Sequence, residues 1–154
     1  MSEVARIQDQ LKRAFEEGAW HGPSVREVLA GVTAAKAVAK PMPNAHSIWE
    51  IVHHVTAWEY GVRRRIEGEK VEMTPEQDWP PVTDTSEAAW NDALADLEKG
   101  YQQLQAAILR LDDSQLDHLP PDSRSSIYMH LHGTIQHHLF HAGQIAVLKK
   151  QSIA

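Results

Sequence analysis

Apolar residues recur along this chain at helical spacing. Val4, Ile7, Leu11, Ala14 and Phe15 follow the i, i+3, i+4 pattern of an amphipathic helix. Gly22 and Pro23 in "AWHGP" predict its end. "SVREVLAG" predicts a short extra helix with Ser24 as its cap and Gly31 as its stop, and "VTAAKAVAKPMPNAH" a connection with room for one helical turn. Ile48, Ile51, Val52, Val55 and Val62 form the stripe of a second long helix, from about Ser47 to Glu69. The three prolines of "GEKVEMTPEQDWPPVTDT" mark the next stretch as a loop, and loops this long in a compact domain are often functional. Trp90, Leu94, Leu97, Tyr101, Leu104, Ile108 and Leu111 recur in steps of four and three, the seam of a third helix, with Asp84 and Glu87 as its expected capping pair. "LDDSQLDHLPPDSR" separates it from a fourth, about Ser125 to Gln151. No strand pattern, internal repeat or low-complexity tract is present. The pattern predicts an all-α fold: a four-helix antiparallel bundle with long loops and a short extra helix after helix 1, in one domain spanning residues 1–154. Its long connections allow departure from simple up-down order.

Composition removes whole classes of function. Hydrophobic residues make up 42% and charged residues 23%, ordinary globular values that exclude disorder for the bulk of the chain. A net charge of −6 argues against a nucleic-acid partner. The basic run Arg63, Arg64, Arg65 is answered by Glu67 and Glu69, as on a solvated helix face. There are no cysteines, so disulfides, thiolate metal sites and a cysteine nucleophile are excluded, and any metal must be held by nitrogen and oxygen. "MSEVARIQDQLKRAF" is charged and lacks a continuous apolar stretch. No signal peptide or membrane span is expected, and the location expected is cytoplasmic.

Histidine is the exception to this ordinary composition: there are 10, and five fall between residues 130 and 141. Ile127, Leu131, Ile135, Ala142 and Ile145 define the core-facing stripe of the fourth helix, with His138 near its middle. His137 and His141 lie on one flank, about 40° apart and about one turn apart along the axis. This i, i+4 spacing lets two imidazoles reach one metal ion, as in zinc-protease helices. His138 with His141, at i, i+3, is the second pairing. His130 shares the flank but sits about 10 Å from His137 along the axis, too far to join both on one ion. In the second helix, His54 projects at the edge of the apolar stripe, and His53 projects opposite, toward solvent. Sites in helical bundles are built from facing helices, so the candidate metal ligands are His54, His137 and His141. The ordinary alternative is that these histidines are hydrogen-bonded packing residues. Trp58, a turn after His54, is placed to line a pocket, although packing is its default role. Glu50 and Glu59 are helix-surface candidates, and neither is assigned as a general base. His21 and His46 sit beside helix ends, and His118 in a loop. No phosphate-binding glycine loop and no G-x-S-x-G serine is present.

"HSIWEIVHHVTAWE", followed some way on by "HHLFHAGQIAVLKK", resembles the DinB/YfiT-like superfamily of bacterial proteins, and "AWHGPSVREVLAGVTA" extends the likeness over nearly the whole chain. The resemblance implies a four-helix bundle with a divalent metal on three histidines. Carried over by position, the second-helix ligand falls on His54, and the final pair falls on His137 and His141, because His141 directly precedes "AGQ". Many relatives carry Arg where this chain has Ala142, so any role of that Arg toward a substrate anion is absent here. Gln144 falls on the family's Gln, where it would orient a ligand or bond backbone. Characterised branches are transferases or isomerases that use low-molecular-weight thiols such as mycothiol or bacillithiol, and relatives are often homodimers.

Three functions are therefore expected to compete. The first is a metal-dependent enzyme, with zinc or nickel as the ion and a low-molecular-weight thiol and a small-molecule substrate as partners; hydrolysis is its close variant. The second is a non-catalytic, stress-related module that binds a metal or small ligand, with His138, Glu50 or Glu59 filling the coordination shell. The third is a helical dimerisation domain without a metal. An all-histidine site should lose affinity as pH falls through about 6.5, because ligands must be neutral.

Overall fold

The computed structural model of the chain describes residues 1–151, and every regular element among them is helical. Four helices are long: α1 (Glu3–Phe15), α4 (Ile48–Ile66), α6 (Glu87–Ile108) and α7 (Ile127–Lys150). Three are short: α2 (Val25–Leu29), α3 (Ala34–Val38) and α5 (Pro75–Asp78); a 3-10 turn at Asp113–Gln115 precedes α7. Each of the seven α-helices opens at a serine or threonine whose hydroxyl accepts from the backbone N–H three residues on: Ser2, Ser24, Thr33, Ser47, Thr74, Ser86 and Ser126. Each such cap is worth about 1 kcal/mol. At α6 the cap is Ser86, not the expected pair of Asp84 and Glu87. Asp84 accepts from the Ser86 N–H instead, and the Glu87 carboxylate reaches Ala34 N at the start of α3. The helix α5 lies inside the stretch expected to be all loop. "TPEQ" makes a capping box there with proline in the first turn, a start signal too short to show periodicity.

The four long helices pack in a ring. α6 contacts α1 and α4, and α7 contacts α4 and α1. Their directions follow from residue pairs. Gln8 bonds Gln105 while Glu16 bonds Tyr101, so α1 and α6 are antiparallel. Trp49 packs on Trp90, Tyr60 bonds Asp96 and Glu67 pairs with Arg110, so α4 and α6 run parallel. Ile51 shares a cavity with Gly143 and Gln144, and Val62 shares one with Gly133 and Thr134, so α4 and α7 are antiparallel. The antiparallel expectation therefore fails at two neighbouring pairs, α4 with α6 and α1 with α7. A parallel pair requires the chain to return along the length of α4, about 28 Å, and the connection over residues 67–86 makes that return. This crossover passes over the α4–α7 face and carries α5.

The interior is largely apolar. Leu11, Phe15, Ile48, Trp49, Leu104, Ile108, Leu131 and Ile145 are essentially without solvent exposure. Among the described residues, no helix is long and apolar enough to cross a membrane.

Candidate metal centre

α4 and α7 run antiparallel in contact, and this places the His54 ring opposite the flank of α7 that carries His137 and His141. The Nε2 atoms of His54 and His137 are 2.9 Å apart, and those of His137 and His141 are 3.1 Å apart. One ligand-capable nitrogen from each ring lies within 4.8 Å of the others. His54 and His141 are buried and His137 is half-buried. For comparison, two nitrogens on one tetrahedral zinc ion are about 3.3 Å apart.

The far nitrogens decide what these rings can do. His54 Nδ1 is 2.7 Å from the backbone carbonyl of Asp78. A carbonyl only accepts, so the proton of the neutral ring is on Nδ1 and the Nε2 lone pair faces the cluster. His141 Nδ1 is 2.7 Å from Gln144 Oε1, which sets the same tautomer. Two lone pairs therefore converge, and His137 has a single proton to offer them. Lone pairs pointed at one place from buried rings, each ring oriented by an acceptor behind it, are what a divalent cation requires. Burial lowers the pKa of all three: His137 falls to about 3, helped by the neighbouring imidazoles, and His54 and His141 move in the same direction. The donor set is thus neutral and preoriented, and it fits a metal ion.

The crossover closes the site from outside. Trp79 stacks on His54 at 3.8 Å between ring centroids, and its other face stacks on His46 at 3.6 Å. Trp58 Nε1 donates to Asp78 Oδ1 at 2.7 Å, and the same oxygen lies 3.1 Å from His54 Nδ1. His53 does not project to solvent as expected. It accepts from Trp49 Nε1, and its Nδ1–H donates to the Pro80 carbonyl at 3.2 Å, so adjacent histidines of α4 pin adjacent parts of the loop. Asp78, Trp79 and the His46 stack escape a sequence reading. Their signal was a carboxylate and a tryptophan in a long proline-rich loop, and nothing in it names the helix face they cover.

Two cavities flank the cluster. The larger, about 530 Å³, is lined by Ile51, Phe140, Gln144 and Val147 and touches none of the three histidines. The smaller, about 390 Å³, is lined by His54 and His137 themselves, with Trp58, Asp78, Met129 and Thr134. Of the two, the smaller is the one lined by members of the cluster, and it lies in the size range of small-molecule sites.

His138 takes no part in the cluster. Its Nε2 lies 3.0 Å from Glu59 Oε1, and both side chains are fully buried. The placement of Glu59 on the helix surface is therefore corrected. α4 is covered by α6 on one side and α7 on the other, so its buried arc is wider than its apolar stripe. Glu59 Oε2 faces Gly100 of α6, where an added Cβ would come within 2.7 Å. Burial pushes the Glu59 carboxyl well up and the His138 imidazole down, which favours the uncharged form of each. His130 bonds Ser123 Oγ at 2.9 Å, away from the triad. Glu50 closes the capping box of α4 and pairs with Lys40.

Comparison with known families adds one finding: the model of the DinB superfamily matches residues 18–145. The chain belongs to the DinB superfamily. No curated protein and no solved structure matches it. The DinB match runs from before α2 into α7 and includes His54, His137 and His141. The helical fold described above accords with DinB membership.

Proposed function

We propose that this DinB protein is a metal-dependent enzyme that holds zinc or nickel on His54, His137 and His141 and catalyses thiol transfer to a small electrophile. The observation that carries the reading is the convergence of the Nε2 atoms, with the far nitrogens of His54 and His141 tied to Asp78 O and Gln144 Oε1. Imidazole suits both metals. The ion would supply Lewis acidity, lowering the pKa of a thiol, or of water in the hydrolytic variant. The protein's own residues do the rest. Asp78 and Gln144 fix the ring orientations. Trp79 and Trp58 shield His54 and His137 from bulk water. The smaller cavity gives a ligand access to the His54 and His137 side of the cluster.

The three-residue cluster favours catalysis over a filled, inert shell. The residues expected to complete such a shell are engaged elsewhere: Glu59 and His138 with each other, and Glu50 with Ser47 N and Lys40. Metal content by mass spectrometry on untagged protein, beside His137→Ala/His141→Ala, tests the site. Near-stoichiometric metal lost in the variant supports it. Incubating loaded protein with thiols and electrophiles then tests the reaction, and a rate no higher than that of His54→Ala rejects it.

A further inference from the structure

The cavity on which His54 and His137 open is electrostatically one-sided. Among the described residues, Asp78 is the one carboxylate in its lining, and no lysine or arginine lines it. The larger cavity beyond Gln144 has no Asp, Glu, Lys or Arg in its lining either. Asp78 Oδ1 is taken by Trp58 Nε1 and faces His54 Nδ1, and Oδ2 has no hydrogen-bond partner among the described residues. Arg65 stands outside the lining of this cavity. Its guanidinium lies 5.3 Å over the Trp58 ring, donates to the Val71 carbonyl, and lines a neighbouring groove that Asp78 shares with Met73 and Thr74.

We propose that the site selects a thiol whose remote end is uncharged or bears an amine, and discriminates against thiols bearing carboxylates, with Asp78 as the specificity-determining residue. This rests on the thiol-transfer reading above. A metal ion at the triad meets the same sulfur in every thiol, so selection acts on the rest of the molecule. An ammonium at that end gains a charge-assisted hydrogen bond to the free Asp78 oxygen. A carboxylate there meets a like charge in a half-buried cavity with no lysine or arginine in its lining, the repulsive element on which specificity often depends.

The test uses the full-length protein loaded with cobalt(II), after its cobalt stoichiometry has been measured, and follows thiol binding by the sulfur-to-cobalt absorption band. Three thiols of matched length serve as probes: cysteamine, 2-mercaptoethanol and 3-mercaptopropionate. For each, the ratio of Kd between wild type and Asp78→Asn cancels the thiol's intrinsic affinity for cobalt. The expected result, taken relative to 2-mercaptoethanol in the same protein, is about tenfold weaker binding of cysteamine and about tenfold tighter binding of 3-mercaptopropionate in Asp78→Asn, each equivalent to about 1.4 kcal/mol. Equal changes for all three, or none, overturn the inference while leaving the thiol reading intact. No sulfur band with any thiol overturns both. If Asp78→Asn does not hold cobalt, Met129→Lys decides. Met129 lines the same cavity and is 58% exposed, so a lysine there adds a cation without disturbing the core. It should tighten 3-mercaptopropionate alone, and no change in its affinity overturns the inference.

Discussion

His137 and His138 are neighbours in sequence and have opposite roles. His137 points across to α4 beneath the crossover, and its Nε2 meets those of His54 and His141. His138, about 100° further round the helix, sinks between α1 and α4, against Phe15 and Glu59. Burial does not tell the two apart: His138 is the more buried, and both pKa values are driven down. The partners do. The triad rings have acceptors behind two of them and only one another in front. His138 has a buried carboxyl in front, 3.0 Å from its Nε2, and no second imidazole facing it. A buried histidine is a ligand candidate when its lone pair meets other lone pairs, and a packing residue when it meets a proton donor.

The sharpest way to break this comparison is to remove members of each group. His137→Ala/His141→Ala should lower bound metal from about one ion per chain to a trace while keeping the helical circular dichroism, because a chelate of three neutral imidazoles does not survive the loss of two. His138→Ala should keep its metal. Equal metal loss in both would show that the two histidines are not distinct in function.

Glu59→Ala should be the more damaging change for stability. It strands a neutral buried imidazole, at about 1–3 kcal/mol, and adds the cost of the cavity left by the side chain, read from the denaturant midpoint. Glu59→Gln keeps the shape and a donor and should lose about 1–2 kcal/mol. A smaller effect is expected behind the ligands. Gln144→Ala frees His141 Nδ1 and should weaken metal binding by about 10–100-fold without unfolding the protein.

The pH response separates the two groups by sign. Burial lowers the folded pKa of His54, His137, His138 and His141 below the ordinary 6.5. Below that value the unfolded chain binds more protons than the folded one, so the stability of the metal-free protein is full above 6.5. It is lost as pH falls from 6.5 toward about 3, where His137 titrates. The expected fall in metal affinity is displaced downward for the same reason: the folded ligands stay neutral below the usual histidine range. Glu59 acts the other way. Its raised pKa keeps a proton in the folded state that the unfolded carboxyl releases near 4.5, so its contribution falls as pH rises above that value. Glu59→Gln should therefore steepen the rise of stability between pH 4.5 and 6.5. A slope equal to that of the wild type would mean that Glu59 is ionised in the folded protein.

Much of this was legible in local pattern. The spacing of Ile48, Ile51, Val52 and Val55 located α4, and the stripe from Trp90 to Ile108 located α6, to within a few residues. The serines before α2 and α4 fell where caps are needed. The i, i+4 spacing of His137 and His141, and the position of His54 at a stripe edge, followed from helix rotation alone. Other features left no local trace. Glu59 has the local appearance of a surface carboxylate, because whether α6 offers a glycine opposite it is a fact about residue 100. His46, Asp78 and Trp79 come together only where the crossover lands.

By itself, then, the sequence determined which long segments are helices and which of their faces carry imidazoles, because those properties depend on residues three or four apart. The tertiary structure alone decided that α4 and α6 run parallel, that the crossover must lie over His54, and that of two adjacent histidines one is buried against a carboxyl and the other joins the triad. Those outcomes depend on which helix covers which face, and that is settled by burying the whole core at once.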